Sequence, residues 1–146
     1  MPAEEVKAAA AELGRVKVQD DGSDAFFHPM KVTALHSQFE IVFTFQDGKT
    51  LSTSEVWIPR PGPEKITVRF RDIDVFGTPA LQLVAQFEDM PLSVLRTEPN
   101  TWIVPHLSLG FTRTAGHDVP LDTDDAPLYF QAVLAGPSDY YDALLT

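Results

Sequence analysis

Past a polar loop at residues 19–24 the sequence consists almost entirely of short β-branched and aromatic runs, each cut off by a turn signal. That punctuation confines the chain to a sheet-based fold. Residues 26–35 are apolar, with Pro29 among them, and 39–46 (Phe-Glu-Ile-Val-Phe-Thr-Phe-Gln) are strand formers. Asp47-Gly48 is a strong hairpin pair, which makes 49–58 the returning strand. Pro59, Pro61 and Pro63 break the pattern and mark a junction at 59–63. Beyond it, 65–76 alternates: Ile66, Val68 and Phe70 point one way, Thr67, Arg69 and Arg71 the other. Gly77-Thr78-Pro79 reads as a turn, 80–87 as a strand, 91–97 as a short helix, and 102–112 as one strand. An acidic loop over 116–127 precedes a closing strand at 128–135.

The one strong helix signal lies at the start. Residues 3–13 are rich in Ala, Glu, Lys and Leu, the best helix formers. Glu4 and Glu5 suit the positive end of the helix dipole, and Gly14 is a natural stop. The expected fold is α+β: a strongly curved antiparallel sheet with one N-terminal helix and a central cleft. A chain of 146 residues forms a single domain, with a first lobe at about 1–60 and a second at about 64–146. No internal repeat of fixed period is visible.

Charge narrows the function. The formal net charge is −10. Residues 1–73 hold nine Lys/Arg and eleven Asp/Glu (net −2); residues 74–146 hold two and ten (net −8). Such a chain is ill suited to a long nucleic acid or an anionic membrane, where Lys and Arg must neutralise phosphates. A small nucleotide or phosphorylated small molecule in a local pocket remains compatible. Cysteine is absent, so disulfides, thiolate nucleophiles and Cys-based metal sites are excluded. No apolar run reaches the length of a membrane span and no secretory signal opens the chain, which points to a soluble, cytoplasmic protein.

The stretch most suggestive of chemistry is Trp102-Ile-Val-Pro-His-Leu-Ser-Leu-Gly-Phe111. On a single strand, His106, Ser108 and Gly110 would share one face, with Leu107, Leu109 and Phe111 in the core. An imidazole transfers protons near neutral pH, and a neighbouring hydroxyl donates to a phosphate oxygen. Equally, a His and a Ser on the outer face of an ordinary strand satisfy the pattern. Pro105-His-Leu-Ser-Leu109, following the segments 66–77 and 80–87 and followed by 128–139, resembles the second His-x-Thr/Ser motif of the 2H phosphoesterase superfamily, the LigT-like 2′,3′-cyclic-nucleotide phosphodiesterases. The likeness covers roughly 65–140. It implies metal-independent phosphodiester chemistry on a small nucleotide or RNA end, without a cofactor. His106 would be one proton-transfer group and Ser108 a phosphate donor.

The first half departs from that pattern. If Thr33 matches the other motif hydroxyl, Lys31 stands where the first His belongs, His28 lies three residues before Lys31, and His36 lies three after Thr33. The resemblance therefore makes Thr33 a second phosphate donor, Lys31 a cation, and His36 or His28 the second imidazole, with a non-catalytic binder as the degenerate case. Two other classes fit the residues. One is a β-barrel that binds a small apolar ligand, including a lipocalin-like isomerase or cyclase. The other is an acidic interaction or inhibitor module that masks a basic partner. Arg69 and Arg71 read as a solvated strand face. His117 and the acidic group Asp118, Asp122, Asp124 and Asp125 read as a loop without calcium-binding spacing. Trp57, Trp102, Tyr140 and Tyr141 read as core or rim residues.

Overall fold

The computed structural model describes residues 1–20, 29–58, 67–116 and 119–145. The Pro59–Pro63 junction, His28, His117 and Asp118 lie outside the described residues. The chain is α+β, with a large antiparallel sheet that is not closed. Among the described residues it carries two α-helices, where the sequence suggested one at the N-terminus and a short one near residue 91.

The first is α1 (Ala3–Leu13), as the alanine-rich composition predicts, with Val6 and Ala10 buried on one side. Four strands follow: β1 (Arg15–Asp20), β2 (Met30–Leu35), β3 (Glu40–Phe45) and β4 (Thr53–Trp57). The Asp47-Gly48 turn forms as read. Gly48 takes φ 72°, a left-handed conformation that favours glycine, and Asp47 Oδ1 accepts from the Lys49 and Thr50 N–H groups. Those two backbone donors hold the Asp47 carboxyl below its ordinary range.

The second half corrects several sequence expectations. Of the strand expected over 65–76, residues 65 and 66 lie outside the described residues, and the rest holds a two-stranded ribbon, β5 (Arg69–Phe70) with β6 (Ile73–Asp74), folded back at Arg71 with φ 53°. The expected strand 80–87 lies within a helix, α2 (Ala80–Asp89), and the expected helix 91–97 overlaps a strand, β7 (Leu95–Glu98). The physical reason is packing. Ala80, Leu83 and Phe87 recur at helical spacing and are buried, whereas Leu81, which an alternating strand would also bury, is 49% exposed.

The expected single strand 102–112 is a hairpin. Its arms are β8 (Thr101–Val104) and β9 (Leu109–Thr112), joined by a 3-10 turn at Pro105–Leu107. Pro105 opens that turn, and the Ser108 N–H closes it on the Pro105 carbonyl at 3.0 Å. The closing strand is β10 (Ala132–Ala135).

Strand order is β1-β2-β3-β4-β10-β9-β8-β7. Each half thus runs helix then four strands, and the fourth strands, β4 and β10, pair antiparallel at the centre. The sequence gives no sign of this repeat because the two halves fill it with different residues. Both helices cover the same sheet face, as the register shows. Across the sheet, Val16, Ala34, Ile41, Val56, Val133, Phe111 and Trp102 lie in one row. Its first members pack around α1 with Val6, Ala10, Val32 and Phe45, and its last around α2 with Phe87, Val104 and Phe130. The neighbouring row, Lys17, Thr33, Val42, Glu55, Leu134, Gly110 and Ile103, faces away from both helices.

Candidate functional site

The hairpin takes His106 and Ser108 off the shared strand face that their spacing implied. His106 sits exposed on the turn. Ser108 is 2% exposed and occupies a left-handed conformation, φ 52° and ψ 39°. Its hydroxyl is enclosed and meets no hydrogen-bond partner among the described residues. The imidazole faces solvent while the hydroxyl is sealed inside, so one phosphate cannot touch both without rearranging the turn.

The other residues singled out from the sequence are dispersed. Lys31 is exposed on β2, and Thr33, two residues on, is 6% exposed. His36 lies in the turn between β2 and β3. Ser108 O accepts from Gly136 N–H, which places the 105–108 turn beyond Leu109, Ala135, Ser54, Phe43 and Val32. The 36–39 turn lies beyond Leu35 and Glu40, at the opposite end of the strands. His36 and His106 therefore stand at opposite ends of the sheet. Lys31 lies at the His106 end but four strands away, about 19 Å along the sheet.

A different group assembles on the helix-free face. Glu40 on β3 pairs in register with Trp57 on β4. With Leu35, His36 and Phe39 they line an open depression of about 310 Å³. His36 stacks on Phe39, ring centroids 4.6 Å apart and 12° from parallel. His36 Nδ1 accepts from Gln38 N–H at 3.1 Å, which leaves Nε2 as the protonated nitrogen of the neutral ring. The Trp57 Nε1–H donates to Glu55 Oε1, two residues back on the same face. The indole is thereby fixed at its polar edge while its faces stay free for packing.

Further along that face, the C-terminal segment covers the second half. A Cβ at Gly110 would fall 2.5 Å from Tyr141 Oη, so glycine is what admits the phenol here. Burial, with Tyr140 and the Glu55 carboxylate adding to it, pushes the Tyr141 hydroxyl up to about 12. Asp139 and Asp142 flank this segment and are exposed. On the far side, Arg15, Lys17 and Lys31 form an exposed basic margin on β1 and β2.

The acidic loop is organised internally. Asp122 Oδ1 accepts from Asp124 and Ala126 N–H, and Oδ2 accepts from Arg113 at 3.1 Å. The Ala126 contact leads these effects, which together hold the Asp122 carboxyl below its ordinary range. Arg113 is 5% exposed. It also donates to Asn100 Oδ1 and the Pro127 carbonyl and lies over the Trp102 ring. Among the described residues, no group of three or more His, Asp or Glu is placed to hold a metal ion.

Glu40, Glu55 and Phe39 escaped the sequence reading, and Trp57 was placed only as core or rim. The signal was present: along 40–45 and 53–57 the alternate positions Glu40, Val42, Thr44, Thr53, Glu55 and Trp57 are mostly polar, opposite Ile41, Phe43 and Phe45. No helix among the described residues is long and apolar enough to cross a membrane. Comparison with family models, with curated proteins and with solved structures finds no match to this chain.

Proposed function

We propose that this chain is a non-catalytic interaction module whose helix-free face, centred on β3 and β4, captures a basic protein partner. The carrying observation is the Glu40–Trp57–Glu55 group. It sets an oriented, half-buried tryptophan between two carboxylates on a face that neither helix covers. Among the described residues the ion pairs are Lys7–Glu4 and Arg113–Asp122, and neither involves Glu40 or Glu55. Anchoring aromatic residues dominate interface energetics, while charge complementarity gives specificity and speeds encounter. The exposed Asp139 and Asp142 of the C-terminal segment extend the negative field on one side. Arg15, Lys17 and Lys31 bound it on the other, where they repel a basic partner. The phosphodiester reading lacks comparable support, because it needs His106 and Ser108 to reach one substrate.

The test uses a displayed library of random 12-residue peptides selected on the immobilised chain. Recovered binders should be rich in Lys and Arg and should weaken as salt screens the charges. E40Q/E55Q should reduce their affinity about tenfold or more, whereas D124N/D125N, on the acidic loop, should change it less than about threefold. Failure to recover binders, or binders indifferent to E40Q/E55Q, would overturn the reading.

A further inference from the structure

The depression beside Trp57 has a more specific chemistry than a generally acidic face. Its floor and walls are aromatic or aliphatic: Leu35, the stacked His36–Phe39 pair, and the Trp57 indole. Its one charge among the described residues is Glu40, which sits directly across the strand pair from Trp57. The Glu55 carboxylate accepts the indole N–H, and a negative acceptor there makes the ring face more electron-rich. His36 adds no competing donor through Nδ1, because that nitrogen accepts from Gln38. Among the described residues the nearest cation by register, Arg15 opposite Leu35, makes no ion pair.

A flat cation suits this geometry best. A guanidinium stacks on an aromatic face while its edge donors engage a carboxylate, and an ammonium, a compact and strongly hydrated point charge, does this less well. Resting on the binding face proposed above, we infer that the depression is a pocket for a single arginine side chain of the partner. The guanidinium lies over Trp57 and pairs with Glu40.

The whole chain, labelled with nitrogen-15, can be titrated with N-acetyl-arginine amide, N-acetyl-lysine amide and N-acetyl-citrulline amide. The readout is the Trp57 indole N–H resonance. Trp102, 5% exposed and already covered by Arg96 and Arg113, is the internal control. A saturable shift with the arginine probe is expected at Trp57 but not at Trp102. The lysine probe should bind about fivefold more weakly and the neutral citrulline probe not at all. E40Q should weaken the arginine probe about fivefold while leaving the rest of the spectrum in place, which separates loss of the site from loss of the fold. No saturable shift, or an equal response to citrulline, would overturn the pocket. If the selected peptides bind through Glu40 and Glu55 without needing arginine, the interaction reading stands and the arginine pocket falls. If arginine amide binds but no peptide is ever selected, the interaction reading falls and takes the partner's arginine with it.

Discussion

Two turns occupy the same place in the two halves and end up doing opposite things. Residues 36–39 join β2 to β3, and residues 105–108 join β8 to β9; each is four residues long and each contains a histidine. The first hairpin closes on the pair Leu35–Glu40, which points to the helix-free face. The second closes on Val104–Leu109, which points to the core around α2. Because side chains alternate, this one-residue difference of phase decides which face a turn serves. The first turn opens a depression flanked by Glu40 and Trp57; the second folds Ser108 inward, where nothing among the described residues answers its hydroxyl. The same helix-and-four-strand plan also places the turns at opposite ends of the sheet. Two histidines in corresponding turns therefore do not make one site.

The cores differ as well. Under α1 the space is filled mainly by Val6, Ala10, Val32, Ala34 and Met30, with Phe45. Under α2 it is filled by Phe87, Phe111, Phe130 and Trp102, whose rings meet at 5.3 to 5.6 Å in successive pairs. The sharpest way to break this comparison is truncation. Phe111→Ala should cost about 3–5 kcal/mol, because the ring touches two others and the cavity is large. Val32→Ala, under α1, should cost no more than about half of that, since it leaves a far smaller void. Equal losses in urea unfolding would mean that the two helices are held by equivalent packing.

A smaller effect tests the turns. Ser108→Gly removes both a left-handed strain and an unanswered hydroxyl, so it should stabilise the protein by about 1 kcal/mol in the same assay. Destabilisation would mean that the hydroxyl has a structural role.

The smallest effect concerns the covered part of the helix-free face. Tyr141 has its hydroxyl raised to about 12. A raised phenol favours the neutral form in the folded state, so its contribution is intact below pH 10 and is lost as pH rises from 10 towards 12. Tyr141→Phe should be close to neutral at pH 7 and should flatten the fall in stability over that alkaline window. An unchanged alkaline slope would place Tyr141 in water rather than against Gly110.

Except for β1, whose Gln19 and Asp20 fall in the segment 19–24 expected as a loop, the first half was legible from the sequence because local and tertiary signals agree there. Alanine-rich 3–13 has only one good conformation, and 39–58 combines β-branched alternation with a glycine turn. In the second half they conflict. Ala80-Leu-Gln-Leu-Val-Ala-Gln-Phe87 fits a strand through Leu81 and Leu83 and a helix through Ala80, Leu83 and Phe87, and only burial under the sheet decides. Residues 102–112 read as one strand because His106 and Ser108 alternate with apolar neighbours as they would on a strand face; only Pro105 marked a break. The acidic bias of the second half could be counted from composition, but the carboxylates proposed to matter most lie in the first half. They were hidden because their meaning depends on which sheet face the helices leave open, a property of strand order rather than of any segment.

The central claim is that the helix-free face of β3 and β4 is the binding surface. It is tested most directly by cross-saturation from a selected basic peptide onto the labelled chain. The account predicts that intensity is lost at Glu40, Val42, Glu55 and the Trp57 indole, and retained at residues 105–108 and 119–127. Loss centred on the acidic loop, or on His106 and its turn, would contradict it.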